Sequence, residues 1–211
     1  MTETIAVVDY GMGNLHSVAR AVSQVAPQCK TVITSAAADV AAADRVVFPG
    51  QGAARQCVQG VKDHRLNEVL IDAFNNKPFL GICMGLQILF DHSDENNGVE
   101  CLGLIAGGVH GFQRSALEPH KKVPHMGWNE VNQSGAHSLW RGIDNGARFY
   151  FVHSYFVAPT DASYSAASTD YLGSFTSAVA RDNVFATQFH PEKSATDGLR
   201  LLKNFSEWKV N

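Results

Sequence analysis

The chain has 211 residues, 45% hydrophobic and 18% charged, with a net charge of −3 and a pI near 6.3. Length and composition suit one sizeable core, and the weakly acidic balance excludes a nucleic-acid footprint. No apolar run is long enough to cross a bilayer, and Met1-Thr2-Glu3-Thr4-Ile5 lacks the basic start and apolar core of a secretory leader, so a cytoplasmic protein is expected. In chain order, the apolar run 5–9 predicts a first strand. Apolar residues at helical spacing over 15–25, after Asn14 as N-cap, predict a helix. The β-branched segment 31–34 and the run 45–48, stopped by Pro49-Gly50, predict two more strands. A helix is expected over 66–74 and a core strand over 78–82, with the long-chain apolar run 86–90 suiting a helix.

Such βα units imply a parallel twisted sheet with helices on both faces. The second half reads differently. Glycine-rich short strands and turns are expected around 103–111, then strands over 148–153, 164–167, 177–180 and 184–189, with few helices between them. A last helix is expected over 197–208, with Leu199, Leu202 and Phe205 on one face. The expected fold is a single three-layer α/β domain, its mostly parallel sheet extended by an antiparallel portion in the C-terminal half.

Three segments carry chemistry. Gly81-Ile82-Cys83-Met84-Gly85 places a cysteine between glycines where a core strand meets a helix. Small glycines let strand and helix approach, and the side chain on such a turn points into a cleft, as in the nucleophile elbow of hydrolases. A helix N-terminus after the thiol favours the attacking thiolate. The second segment, His190-Pro191-Glu192-Lys193-Ser194, puts a histidine at the carboxyl end of a strand, where open α/β sheets place their sites. Glu192 is close enough to orient one ring nitrogen and leave the other to take the thiol proton. The third, Pro49-Gly50-Gln51-Gly52-Ala53, also follows a strand, and its glycines free backbone N–H groups for a ligand. A tetrahedral oxyanion needs two donors; Met84 N–H is one candidate, and Gln51 or Gly52 in the Gly50–Gly52 loop is the other. The remaining cysteines, at 29, 57 and 101, form no C-x-x-C pair and no zinc spacing, and read as incidental free thiols.

Together, in this order, the Pro-Gly-Gln-Gly loop, Gly81-Ile82-Cys83-Met84-Gly85-Leu86-Gln87 and His190-Pro191-Glu192-Lys193-Ser194 resemble the class I (triad-type) glutamine amidotransferases, and the likeness spans essentially the whole chain, as one domain over 1–211. The segments Asp9-Tyr10-Gly11-Met12-Gly13-Asn14-Leu15, Pro124-His125-Met126-Gly127-Trp128-Asn129 and Tyr150-Phe151-Val152-His153-Ser154-Tyr155 look like the glutaminase subunits of imidazole glycerol phosphate synthases within that family. The resemblance implies hydrolysis of L-glutamine to glutamate and ammonia by Cys83, His190 and Glu192. It implies that Gln87 and Glu95 frame the substrate amino group, and that the backbone at Ser154 and Tyr155 meets its carboxylate. It places Trp128, Tyr150 and Asn14 towards a separate (β/α)8-barrel cyclase subunit of histidine biosynthesis. That subunit would use the ammonia to make imidazole glycerol phosphate and an aminoimidazole carboxamide ribotide. It also implies weak glutaminase activity until the partner and its nucleotide bind, through a peptide flip in the oxyanion loop. Many members carry a small apolar residue where this chain has Gln51.

No cofactor or metal is expected, since no cofactor motif or metal cluster occurs; Gly11-Met12-Gly13 lacks the third glycine of a dinucleotide fingerprint. Other readings are a glutaminase serving anthranilate or guanylate synthesis, a different cysteine hydrolase, or a binding protein that keeps the surface without the chemistry. For Glu95 the alternative is a solvated loop, and for Trp128 and Tyr150 it is a place in the core.

Overall fold

Short apolar strands running in one direction build the half of the sheet that carries the candidate site. The computed structural model describes residues 2–113 and 120–210. Along the chain, β1 (Thr4–Val8), α1 (Leu15–Val25), β2 (Lys30–Thr34), α2 (Ala37–Ala42), β3 (Arg45–Gly50), α3 (Ala54–Asp63), α4 (Asn67–Asn76) and β4 (Phe79–Cys83) come first. A single helical turn, α5 (Met84–Gln87), leads to β5 (Phe90–Ser93), β6 (Val99–Glu100) and β7 (Ile105–Gly111). Then follow β8 (His125–Glu130), β9 (Asn132–Gln133), β10 (Arg148–His153), β11 (Tyr155–Pro159), β12 (Ser165–Asp170), β13 (Ser174–Arg181), β14 (Val184–Thr187) and the closing helix α6 (Ala195–Glu207).

The main sheet has the strand order β2-β1-β3-β4-β14-β13-β11-β7-β5-β6, with β12 and β9 branching from β13. The first five strands of that order are mutually parallel. From β14 onwards the pairing with β13, β11 and β7 is antiparallel, so the sheet is mixed as expected. Strands β8 and β10 form a separate antiparallel pair. Helices cover both faces. Val18, Val22, Leu201, Leu202 and Phe205 of α1 and α6 pack on one; Val40, Val58, Val61, Leu70 and Phe74 of α2, α3 and α4 pack on the other. Each large side chain buried this way contributes about 1.5–3 kcal/mol.

Helix α2 and strands β8 and β11 were not expected, and two further departures bear on the site. The helix after Cys83 is one turn long, because Phe90 is drawn into β5 opposite Ile105. Helix α3 is not legible in the sequence, although Ala54, Cys57, Val58 and Val61 form its buried stripe. Gly60 in its middle reads as a helix breaker, yet a Cβ there would lie 2.3 Å from the Tyr10 carbonyl oxygen. Its hydrogen atom is what lets α3 seat against the first loop. As expected, Asn14 caps α1 by accepting from Ser17 N–H at 3.3 Å.

The register fixes the site. Gly50 at the end of β3 pairs with Cys83 at the end of β4. On the other side of β4, Ile82 pairs with Thr187 at the end of β14, three residues before His190. Three neighbouring carboxyl ends therefore deliver loop, cysteine and histidine to one edge of the sheet.

Candidate active site

Cys83 sits at φ 55° and ψ −110°, a left-handed conformation costing about 1–3 kcal/mol for a residue with a side chain. The surrounding packing enforces it. A Cβ on Gly85 would lie 1.9 Å from the Phe48 carbonyl oxygen, and one on Gly81 would lie 2.8 Å from Ala186 Cβ. The two glycines therefore let the turn press against β3 and β14 while the cysteine between them faces the cleft. Since α5 has only four residues, its macrodipole is small. What it supplies is the free backbone N–H groups of a first helical turn.

His190 and Glu192 lie beside the sulfur. His190 Nδ1 donates to Glu192 Oε1 at 2.8 Å, and both side chains are almost wholly buried. That bond turns Nε2 towards Cys83. Burial works against a charge on His190. The negative charge and hydrogen bond of Cys83, followed by those of Glu192, outweigh it and push the imidazole up to about 10. The other carboxylate oxygen, Glu192 Oε2, is buried with no hydrogen-bond partner among the described residues.

The loop after β3 faces the pair. Tyr10 Oη donates to the Pro49 carbonyl at 2.8 Å and Cys57 Sγ to that of Gln51 at 3.5 Å. Two loop carbonyls are thus engaged from the α3 side. Burial raises the Tyr10 hydroxyl well above its ordinary range, so it remains a donor. Gly52 takes φ +95°, and Met12 Cε lies 2.9 Å from where its Cβ would be. Cys57, expected to be incidental, is therefore part of what holds the loop after β3.

A cleft of about 300 Å³ joins these parts, lined by Gln51, Gly52, Cys83, Met84, Gln87, Glu95, Pro124, Val152, His153, Ser154, Tyr155 and His190. It brings together every expected substrate residue. A freely solvated loop does not describe Glu95, which is half-buried and accepts from Ala54 N–H at the start of α3 at 2.6 Å. Gln87 Nε2 donates to the Tyr155 carbonyl and to Gln188 Oε1, while Gln87 Oε1 has no partner among the described residues. Gly50 stands behind the cleft, with the Tyr10 hydroxyl 2.5 Å from where its Cβ would be. A larger cleft, about 720 Å³, opens near the start of β14 among Asn75, Arg181 and Lys209, away from the cysteine.

Trp128 and Tyr150 pair across β8 and β10 with rings 6.3 Å apart. Trp128 is 45% and Met126 63% exposed, and Tyr150 is half-buried, so these aromatics lie at the surface rather than in the core. Asn14 is exposed in a loop where a Cβ on Gly13 would be 3.8 Å from Gln51 N. Sequence reasoning missed Gln188, whose Nε2 lies 3.7 Å from Cys83 Sγ, and the bonded pair His125–His153. Gln188 stands two residues before His190, a spacing that puts alternate residues of an extended chain on one side. Among the described residues, no group of three or more His, Cys, Asp or Glu is placed to hold a metal, and no helix is long and apolar enough to cross a membrane.

Residues 6–208 match the family Glutamine amidotransferase class-I, and the chain belongs to it. It is 53% identical to "Imidazole glycerol phosphate synthase subunit HisH" of Thiobacillus denitrificans, over 99% of this chain and 92% of that one. It is 56% identical to the protein of the same description from Nitrosospira multiformis, over 97% and 98%. The fold is shared with a solved structure described as "Structure of PurLQS from Thermotoga maritima", at TM-score 0.72 and 17% identity, covering 98% of this chain and 99% of that one.

Proposed function

We propose that the whole chain, as one amidotransferase domain, is the glutaminase subunit of an imidazole glycerol phosphate synthase, with Cys83 as nucleophile. The observation that carries the site assignment is the buried Cys83–His190–Glu192 array opening on a cleft with an acceptor, Gln87 Oε1, that has no partner among the described residues. The relatives above carry that subunit's name at 53% and 56% identity.

The geometry supports the following course. The ammonium group of L-glutamine binds between Gln87 Oε1 and the Glu95 carboxylate, and its carboxylate meets the backbone at Ser154 and Tyr155. His190 Nε2 takes the Cys83 proton, and the sulfur attacks the side-chain amide carbon. N–H groups of Met84 and of Gln51 or Gly52 hold the oxyanion; losing one such donor costs on the order of 10²–10³ in rate. His190 returns the proton to the leaving nitrogen and ammonia departs. Water, activated by the same imidazole, then cleaves the γ-glutamyl thioester to glutamate.

The partner in this reading is a (β/α)8-barrel cyclase subunit that receives the ammonia and makes imidazole glycerol phosphate and an aminoimidazole carboxamide ribotide. An outward face of Met126, Trp128, Tyr150 and Val152 beside the cleft mouth supports a docked acceptor, with Asn14 at its margin. The reading places the pair in the reducing cytoplasm, which suits four free cysteines.

Glutamate release from glutamine tests the proposal, measured for this protein alone and with the cyclase subunit and its nucleotide. A large rise in the mixture is expected. Pairing instead with an anthranilate or guanylate synthase component would overturn the choice of partner while leaving the Cys-His-Glu chemistry.

A further inference from the structure

The carbonyl of Tyr155 fixes the direction of every hydrogen bond in a buried polar chain that ends on the nucleophile. A carbonyl only accepts, so Gln87 Nε2, 3.0 Å away, is its donor. The same Nε2 lies 2.9 Å from Gln188, whose facing atom must therefore be the acceptor Oε1. The opposite end of the Gln188 carboxamide is then its NH2 group, 3.7 Å from Cys83 Sγ. Neither amide is free to flip: Gln188 is fully buried and Gln87 2% exposed, and a flip of either would set two donors or two acceptors face to face.

A second arm of the chain leaves the same carbonyl. His153 Nδ1, at 2.8 Å, must donate to it. Asn129 Nδ2, oriented by its bond to the Asp170 carbonyl at 3.1 Å, donates to His125 Nε2 at 3.3 Å. The His125 proton is therefore on Nδ1, which donates to His153 Nε2 at 2.9 Å. Both imidazoles are consequently neutral single tautomers, and the doubly engaged carbonyl is held from two sides. Its fixed position is what makes the polarity of the Gln87–Gln188 pair unambiguous.

From this geometry we infer that Gln188 takes part in glutamine hydrolysis as an N–H donor to the Cys83 sulfur. The inference rests on Cys83 being the nucleophile. A donor of fixed direction favours the negatively charged sulfur over the thiol, since hydrogen bonds to an ionised acceptor are the stronger ones. It also holds the sulfur lone pairs in place while His190 Nε2 removes the proton from the other side. When sulfur attacks the amide carbon, a lone pair becomes the C–S bond and the N–H···S contact weakens. The donor thus acts on the attacking state, and no bond of Gln188 itself is made or broken. His153 and His125 act through the carbonyl and are positioning residues.

The test compares wild type with Gln188→Glu, whose carboxylate still accepts from Gln87 Nε2 but cannot donate to sulfur when ionised. The readout is the rate of Cys83 alkylation by iodoacetamide between pH 5 and 10, with the site confirmed by peptide mass. Alkylation of the variant at neutral pH is expected to fall at least tenfold and its profile to move to higher pH. Its kcat should fall with KM for glutamine little changed. Superimposable alkylation profiles in the folded variant would overturn the inference. Should Gln188→Glu fail to fold, the side-chain 15N–1H resonances of Gln188 in the wild type serve instead. They should titrate with the alkylation midpoint of Cys83, and no movement would overturn the inference. Loss of glutaminase on alkylating the wild type tests the nucleophile separately. An enzyme that stays active with Cys83 fully alkylated overturns that reading, and this inference with it.

Discussion

The amide of His190 donates to the carbonyl of Tyr150 at 2.9 Å, tying the candidate base to a strand whose alternate side chains, Tyr150 among them, lie at the surface. Ser194 doubles the tie: its hydroxyl accepts from Tyr150 N–H at 2.9 Å and donates to the His190 carbonyl at 2.6 Å. The strand that presents Tyr150 beside Trp128 is therefore bonded directly to the segment that aims the imidazole. A partner docked at the outer face of β10, as proposed, would have a short backbone route to His190.

Removing that hydroxyl gives the first prediction. Ser194→Ala leaves a strand N–H with no side-chain acceptor and a buried carbonyl with one donor fewer. A loss of about 1–3 kcal/mol is expected, read from urea unfolding, together with a fall in kcat. Unchanged stability and turnover would remove Ser194 from the support of the base.

Glu192→Gln keeps the shape of the pair but takes away the charge that helps hold His190 protonated. By analogy with carboxylate-to-amide changes in other triads, a kcat loss of about 10²–10⁴ is expected, with the alkaline limb of the pH–rate profile moving to lower pH. Steady-state kinetics across pH checks both. A variant within twofold of wild type would mean that Glu192 does not orient the imidazole.

Stability should fall in mild acid through the histidine pair. Burial depresses His125 to about 4, with the charge of Lys121 adding to the effect, and His153 to about 3. An unfolded histidine titrates near 6.5. Between pH 6.5 and 4 the unfolded chain therefore takes up protons that the folded one refuses. The stabilisation is full above pH 6.5 and is lost as pH drops towards the folded values, by up to about 1.4 kcal/mol per pH unit for each proton. In urea titrations at pH 7, 6 and 5, His125→Gln should lose stability less steeply than wild type, by about one proton. Equal slopes would contradict a neutral buried His125.

Glycines provide a steric prediction with an internal control. Gly85→Ala drives a methyl group to 1.9 Å from the Phe48 carbonyl oxygen, whereas a Cβ at Gly135 meets nothing within 4 Å. Backbone on both sides leaves Gly85→Ala no cheap relaxation, so it should destabilise by several kcal/mol or yield no folded protein. Gly135→Ala should stay within about 0.5 kcal/mol of wild type. Thermal unfolding of the two variants decides the matter.

What was legible in the chain, and what was not, follows from distance along it. Gly81, Cys83 and Gly85 announce an elbow because the strain and its relief lie within five residues. His190 and Glu192 are two residues apart, so their bond is local as well. Gln188 could not be read this way: its partners Gln87 and Cys83 lie 101 and 105 positions away, and only the pairing of β4 with β14 brings them together. The same holds for His125 and His153, which meet through the register of β8 on β10. The role of Cys57 was hidden because α3 itself was hidden, its periodic stripe interrupted by a glycine whose reason, the Tyr10 carbonyl, lies far upstream in the first loop. The long helix expected after Cys83 failed for a related cause: apolar run length cannot separate one helical turn plus a core strand from a helix.

Whether glutamine is hydrolysed through a bond to the Cys83 sulfur is read by incubating the protein and the proposed cyclase subunit with radiolabelled glutamine, quenching in acid and mapping the label by peptide mass. A γ-glutamyl thioester is expected on the peptide carrying Cys83, absent in Cys83→Ala, which should release no glutamate. Label on another residue, or glutamate release by Cys83→Ala near the wild-type rate, would contradict it.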